Sequence, residues 1–211
     1  MIHTLFDEIT YPLRGEKISS DGAMELALRV AYLGAAHVSP NPLVGCVIVD
    51  ENHNFVACGY HERYGEAHAE ISALNKIADV ERALLKNSTF YVTLEPCAHQ
   101  GKTPSCARTL SLLPIKKVIY GLQDPNPLVS GQGAQILKNA SIEAEVYEVP
   151  LKVQLFELVE VFLKNFTQKK IFVAGKIASS LDGLMALKNG ESKWITSVLA
   201  REFSHELRSH L

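Results

Sequence analysis

Four cysteines, one tryptophan and no long apolar run remove several classes of protein from consideration at once. Cys46, Cys58, Cys97 and Cys106 are too few and too scattered for the disulfide framework of a small secreted domain. No stretch approaches the roughly 20 apolar residues of a membrane-spanning helix. Residues 1–20 mix charges among apolar side chains, unlike a secretory signal. Lysine and arginine total 21 against 23 acidic residues, a formal charge of −2. That balance argues against a broad nucleic-acid-binding face, although it leaves room for a small basic pocket that takes one phosphate. Internal repeats and low-complexity segments are also lacking. Together these absences predict a cytoplasmic protein with reduced thiols that are available to a metal, and with no nucleic-acid or membrane partner.

The chain is 211 residues long and 47% hydrophobic, enough for one full domain and an addition. Residues 1–19 show no period and read as an extension. Over 21–36, Met24, Ala27, Leu28, Ala31 and Tyr32 recur at helical spacing, with Ser20 or Asp21 as the cap. Residues 43–49 and 55–60 are strand-like runs about the polar turn Asp50-Glu51-Asn52-His53-Asn54, and so predict a hairpin. A helix is expected over 67–77, a strand over 88–94, a helix over 106–113 and a strand over 117–121. Turn formers fill 124–133. A short helix over 134–139 and a strand over 144–149 complete an α/β/α pattern. An amphipathic helix over 151–166 and a fresh strand over 171–177 follow. The domain limits expected are 1–19, 20–168 and 169–211.

The most informative residues are His68-Ala69-Glu70, then Glu95-Pro96-Cys97, then Cys106. One imidazole and two thiolates are one ligand short of a closed structural zinc site, which suits a catalytic zinc that keeps a position for water. Glu70, two residues past His68, can stand beside the metal without ligating it. This arrangement matches the zinc-deaminase signature, in which the glutamate moves protons while water attacks an amino-bearing ring carbon. A lone His-x-Glu is usually a solvated helix start, and two cysteines in an α/β domain are usually core; the combination is what carries the reading. Cys46 and Cys58 lie inside apolar strands and read as core.

Eight residues separate Cys97 from Cys106, where cytidine and adenosine deaminases generally place two. The run Pro-Cys-Ala-His-Gln-Gly-Lys-Thr-Pro-Ser-Cys resembles the deaminase domain of the bifunctional riboflavin biosynthesis family. Ser39-Pro40-Asn41-Pro42-Leu43-Val44-Gly45, Tyr64-Gly65-Glu66-Ala67-His68-Ala69-Glu70 and Asp124-Pro125-Asn126-Pro127 share in the likeness. The resemblance implies a cytidine-deaminase-like three-layer α/β/α domain with a central mixed sheet. It implies zinc on His68, Cys97 and Cys106, and Glu70 as the proton carrier. The implied substrate is 2,5-diamino-6-ribosylamino-4(3H)-pyrimidinone 5′-phosphate, deaminated on its ring. Asn41, His61, His99, Lys102, Asp124 and Asn126 would contact it, Lys102 as a point charge for the phosphate. Turn chemistry alone would also select Asp124 and Asn126. A nucleoside or tRNA deaminase of the same fold, and an inactive relic with a structural zinc, are the competing readings.

Beyond residue 169, Gly175-Lys176-Ile177-Ala178-Ser179-Ser180-Leu181-Asp182-Gly183 and Glu191-Ser192-Lys193-Trp194-Ile195-Thr196-Ser197 resemble the opening of the family's dihydrofolate-reductase-like domain. By that pattern Ala178 and Trp194 would contact NADPH, while Ser192 and Arg208 would contact substrate. A core aromatic is the plainer reading of Trp194. Leu184 stands where the family usually carries lysine, and Ser105 where it usually carries proline. Only 41 residues follow Lys170, so the expectation is an incomplete reductase segment with no reduction of its own. The exposed half of such a segment would favour association, with a homo-oligomer as one outcome, or insolubility.

Overall fold

Ser19 opens the first helix, α1 (Ser20–Ala31), by accepting a hydrogen bond from the Gly22 backbone N–H at 3.0 Å. Its apolar face (Met24, Ala27, Leu28, Ala31) is buried, as the spacing predicts. The computed structural model describes residues 9–99, 104–126, 130–148 and 151–209, apart from the side chains of Glu206 and Ser209. The chain divides into two compact units, Met1–Lys170 and Ile171–Leu211.

In the first unit, β1 (Gly45–Val49) and β2 (Phe55–Tyr60) form the expected hairpin. Asp50 closes its turn by accepting from the backbone N–H groups of Asn52 and Asn54. Next come α2 (Ala69–Asn75), β3 (Thr89–Leu94), α3 (Cys106–Leu110), β4 (Lys117–Leu122), α4 (Gln132–Asn139) and β5 (Glu143–Val146). The strand order is β2-β1-β3-β4-β5. The pairs β1/β2 and β1/β3 are antiparallel, while β3/β4 and β4/β5 are parallel, so the sheet is mixed as expected.

Both faces of the sheet are covered. Cys46, Ile48, Phe90, Val92, Val118 and Tyr120 point into one apolar layer with α2, α3 and α4. Val47, Val49, Tyr91, Leu94 and Leu122 point into the other with α1 and α5 (Lys152–Leu158). Double coverage explains why β1 and β3 are buried at every position rather than alternately. The two remaining thiols, Cys46 and Cys58, are buried in these layers.

At β5 the sheet ends on a short strand whose Glu143 and Glu145 both pair with Lys117 of β4, at 3.5 and 2.7 Å. Residues 13–18, aperiodic in sequence, are held by backbone bonds to the hairpin. Gly15 N–H donates to Phe55 O, Phe55 N–H to Glu16 O and Ile18 N–H to His53 O.

Two elements depart from the sequence expectation. The helix expected over 151–166 is two helices, α5 and α6 (Glu160–Gln168), broken at Val159, whose φ of −114° and ψ of 15° lie outside the helical region. The strand expected over 171–177 is not formed. Ile171, Val173 and Ile177 are 85%, 81% and 74% exposed, and without a partner strand their backbone groups find no ladder. The described part of the second unit holds one helix, α7 (Val198–Ser209), and no strand.

One glycine sets how closely α2 lies on the sheet. A Cβ at Gly59 of β2 would fall 2.2 Å from the Ala73 backbone nitrogen. Gly59→Ala must therefore push α2 outward, and overpacking of this kind costs about 1–3 kcal/mol. Urea unfolding followed by circular dichroism should show that loss; an unchanged midpoint would refute the close approach.

Candidate active site

The ends of three elements on one side of the sheet converge on a single point. His68 is the residue before α2, with extended backbone (φ −71°, ψ 167°), and its side chain does not cap the helix. Its imidazole is therefore available for another partner. Cys97 follows the exit of β3 by three residues, and Cys106 is the first residue of α3. Ser105 fixes that start twice over. Its hydroxyl accepts from the Arg108 backbone N–H at 3.3 Å and donates to the Cys97 carbonyl at 2.7 Å.

His68 Nδ1 lies 3.5 Å from Cys97 Sγ and 3.4 Å from Cys106 Sγ. The three ligand atoms all fall within 4.8 Å of one another. Zinc–sulfur bonds of about 2.3 Å and zinc–nitrogen bonds of about 2.0–2.1 Å, set at tetrahedral angles, put nitrogen and sulfur about 3.5 Å apart. The observed spacings match that edge, and two soft sulfurs with one imidazole are a donor set that zinc favours. The residues therefore fit a zinc ion bound through three protein ligands.

The protons of this cluster are unevenly shared. The Cys97 thiol is drawn down to about 4, first by the hydrogen bond from the Cys106 thiol and then by those from His68 and the Cys106 backbone N–H, against the opposing pull of burial. The Cys106 thiol is pushed up because it donates that bond and is buried beside Glu70. His68 is raised by its bond to Cys97. A dication at the centre displaces these protons, which is how metal binding couples to proton release.

Glu70, in the first turn of α2, is 3% exposed. Burial first, then the negative Cys97, raises its carboxyl above the ordinary range. A buried carboxyl of raised pKa beside a metal site can both accept and donate a proton.

A cleft of about 1060 Å³ opens over this cluster, lined also by Asn41, His61, His99, Asp124 and Asn126. The structure thus brings together nine of the deaminase-side residues expected from sequence. Lys102 falls outside the described residues. His61 is placed differently from the direct substrate contact expected of it. It is 2% exposed and both ring nitrogens have protein partners. Nδ1 meets Ala67 O at 3.0 Å and Nε2 meets Asn41 Nδ2 at 3.1 Å. A nitrogen facing a carbonyl must donate, so in the neutral ring Nε2 accepts from the Asn41 amide. His61 holds Asn41 in place. Asp124 Oδ1 accepts from the Asn126 backbone N–H at 2.8 Å, a turn contact made while both residues line the cleft.

Two features escaped the sequence reading. Glu95 is 4% exposed, and its carboxylate accepts from the backbone N–H groups of Asp124 (3.2 Å), Gly131 (3.0 Å) and Ala134 (3.1 Å). It caps α4, whose own N-cap Gly131 has no side chain to do so, and pins the loop bearing Asp124 and Asn126. Gly133 completes this junction, since a Cβ there would sit 2.0 Å from Pro96 O. Phe162 and Phe166 of α6, with ring centroids 4.7 Å apart, also line the cleft. The triplet Glu95-Pro96-Cys97 was a visible signal for Glu95; the phenylalanines read only as one face of a helix.

In the second unit, Ser192 and Trp194 line one open hollow of about 790 Å³, and Ala178 and Arg208 do not. Trp194 is not a core aromatic: it is 69% exposed and stacks under the Arg201 guanidinium at 4.0 Å. Arg208 Nη1 lies 3.5 Å from His205 Nδ1.

Residues 18–122 match the cytidine and deoxycytidylate deaminase zinc-binding region, and residues 171–211 match the RibD C-terminal domain. Over 123 residues the chain is 48% identical to a diaminohydroxyphosphoribosylamino-pyrimidine deaminase of Buchnera aphidicola subsp. Schizaphis graminum, covering 58% of this chain and 80% of that one. Over 185 residues it is 43% identical to the riboflavin biosynthesis protein RibD of Aquifex aeolicus, covering 88% of this chain and 50% of the relative. The solved structure of Acinetobacter baumannii RibD, form 1, superposes with a TM-score of 0.78 at 43% identity, covering 89% of this chain and 51% of that one. The chain therefore spans about half the length of the longer relatives it matches.

Removing one ligand should release the metal and loosen the first unit. Cys106→Ser is expected to lose stoichiometric zinc by elemental analysis and to melt at lower temperature than the parent. Full zinc occupancy in that variant would refute the assignment of ligands.

Proposed function

The chain belongs to the diaminohydroxyphosphoribosylaminopyrimidine deaminase family of riboflavin biosynthesis, and from that premise we propose that it hydrolyses an amino group from a phosphoribosyl-substituted pyrimidine with the help of zinc. The observation that carries the reading is the buried Glu70 beside a His68–Cys97–Cys106 triangle of zinc dimensions, at the floor of a cleft large enough for a nucleotide.

His68, Cys97 and Cys106 would hold zinc, which would supply Lewis acidity and bring the pKa of a water to about 7. The chain's own groups do the rest. Glu70 takes a proton from the attacking water and delivers it to the ring nitrogen. It then carries the second proton to the departing amine. The ring carbon gains an oxygen, its bond to nitrogen breaks, and ammonia leaves with a carbonyl in its place. Asn41, fixed by His61, orients the substrate through its remaining amide oxygen. Asp124 and Asn126, which line the cleft, are assigned to ribose hydroxyls or exocyclic amines. His99 adds a polar contact at the cleft wall, and Lys102 is assigned to the phosphate on its motif.

The second unit supports a narrower claim. Its described residues form one helix and no strand, and the NADPH contacts assigned to Ala178 and Trp194 are not gathered into one hollow. A nicotinamide site needs a sheet to present it. The deamination is accordingly the activity assigned to this chain.

Glu70→Gln should slow ammonia release from the pyrimidinone phosphate by about 10²–10⁴-fold while zinc content and melting temperature hold. Equal rates in parent and variant would return the zinc to a purely structural role. Incubating the parent with cytidine, deoxycytidylate and the pyrimidinone phosphate separates the riboflavin reading from a nucleoside deaminase. Turnover of cytidine alone would overturn the former.

A further inference from the structure

The charge of the cleft is one-sided, and its exception points to how the substrate is oriented. Among the described residues that line it, Glu66, Glu70, Glu95 and Asp124 are acidic, and Arg108 is the one lysine or arginine. Two of these carboxyls are engaged in the protein: Glu95 accepts three backbone N–H bonds, and Glu66 sits 4.0 Å from Arg63. Arg108 differs. Its backbone N–H is committed to Ser105 Oγ and its carbonyl to the Ser111 hydroxyl, so its main chain is held within α3. Its side chain is exposed and pairs with no carboxylate among the described residues.

A phosphate dianion entering this cleft is repelled by its free carboxylates and attracted to the guanidinium of Arg108, the one lysine or arginine among the described lining residues. A guanidinium also offers two parallel N–H donors that match two phosphate oxygens, a fit that an ammonium does not provide. Arg108 sits two residues past Cys106 on α3, so the element that supplies a metal ligand also supplies this charge.

We propose that Arg108 binds the 5′-phosphate of the substrate and thereby directs the amino-bearing carbon toward the metal end of the cleft. This rests on the deaminase reading above. It makes Arg108 a specificity residue for phosphorylated over unphosphorylated ribosides.

The test compares the zinc-loaded parent with Arg108→Gln and Arg108→Lys on the pyrimidinone riboside 5′-phosphate and on the same riboside without phosphate. For Arg108→Gln, KM for the phosphorylated substrate should rise about 10–100-fold, the worth of a charge-assisted hydrogen-bond pair, with the effect on KM rather than kcat. KM for the unphosphorylated riboside should move less than about threefold on the same scale. Arg108→Lys should fall between, because it keeps the charge and loses the fork. Equal effects on both substrates, or on neither, overturn the proposal. A parent that releases ammonia from neither substrate refutes the deaminase reading instead. In that event, calorimetric titration with ribose 5-phosphate still decides the role of Arg108: binding by the parent and not by Arg108→Gln supports it, and equal binding, or none to either, refutes it.

Discussion

Two sulfurs and a ring nitrogen held at the edge length of a zinc tetrahedron make an electrostatic demand that shapes everything near them. Thiolates so close together repel each other, and the carboxyl of Glu70 is buried beside them. Side chains alone meet this demand only by keeping protons in the cluster, with Cys97 ionised and Cys106 not. A dication meets it outright. The short contacts also need rigid support, because entropy and repulsion both favour spreading them apart. That support comes from three unrelated anchors: the extended turn into α2 at His68, the strand exit at Cys97, and the doubly bonded Ser105 that fixes the first residue of α3.

Glu95 extends the same logic outward. A buried carboxylate is costly unless it is hydrogen-bonded, and here it receives three backbone N–H groups, from Asp124, from Gly131 and from Ala134 in the first turn of α4. Two residues before the Cys97 ligand, it thus ties the metal end of the cleft to the loop carrying Asp124 and Asn126. His61 plays the matching part on the other wall, using both ring nitrogens to set the amide of Asn41. Asn41 and the backbone of Asp124 are thus each held by a neighbour that is itself buried.

Much of this was legible in the sequence, for identifiable reasons. Strands buried on both faces read as continuous apolar runs, and the hairpin turn carried its own Asp50 chemistry. The metal triad was legible because zinc selects few residue types at restricted spacings. Long-range relations were not. Glu95 meets its partners 29 to 39 residues away, and the ordering of residues 13–18 depends on backbone pairing that leaves no side-chain period. The break at Val159 was hidden because an apolar stripe continues across it from Phe156 to Phe162. The opposite error arose at 171–177, where the apolar run Ile171-Phe172-Val173-Ala174 suggested a strand that has no neighbour to pair with among the described residues. Local pattern reports what a segment could bury; it does not report whether a partner is there.

The last strand of the sheet has a consequence of a different kind. Strand β5 is one edge of the five-stranded sheet, so its outer backbone groups have no ladder partner within that sheet, an invitation to polymerise. Glu143 and Glu145, on one face of it, draw Lys117 across to them and leave that rim charged, short and hydrated. A foreign strand arriving there would have to strip water from those ions before gaining its first backbone bond. The charged trio thus acts as a gatekeeper against fibril growth from the sheet's open margin.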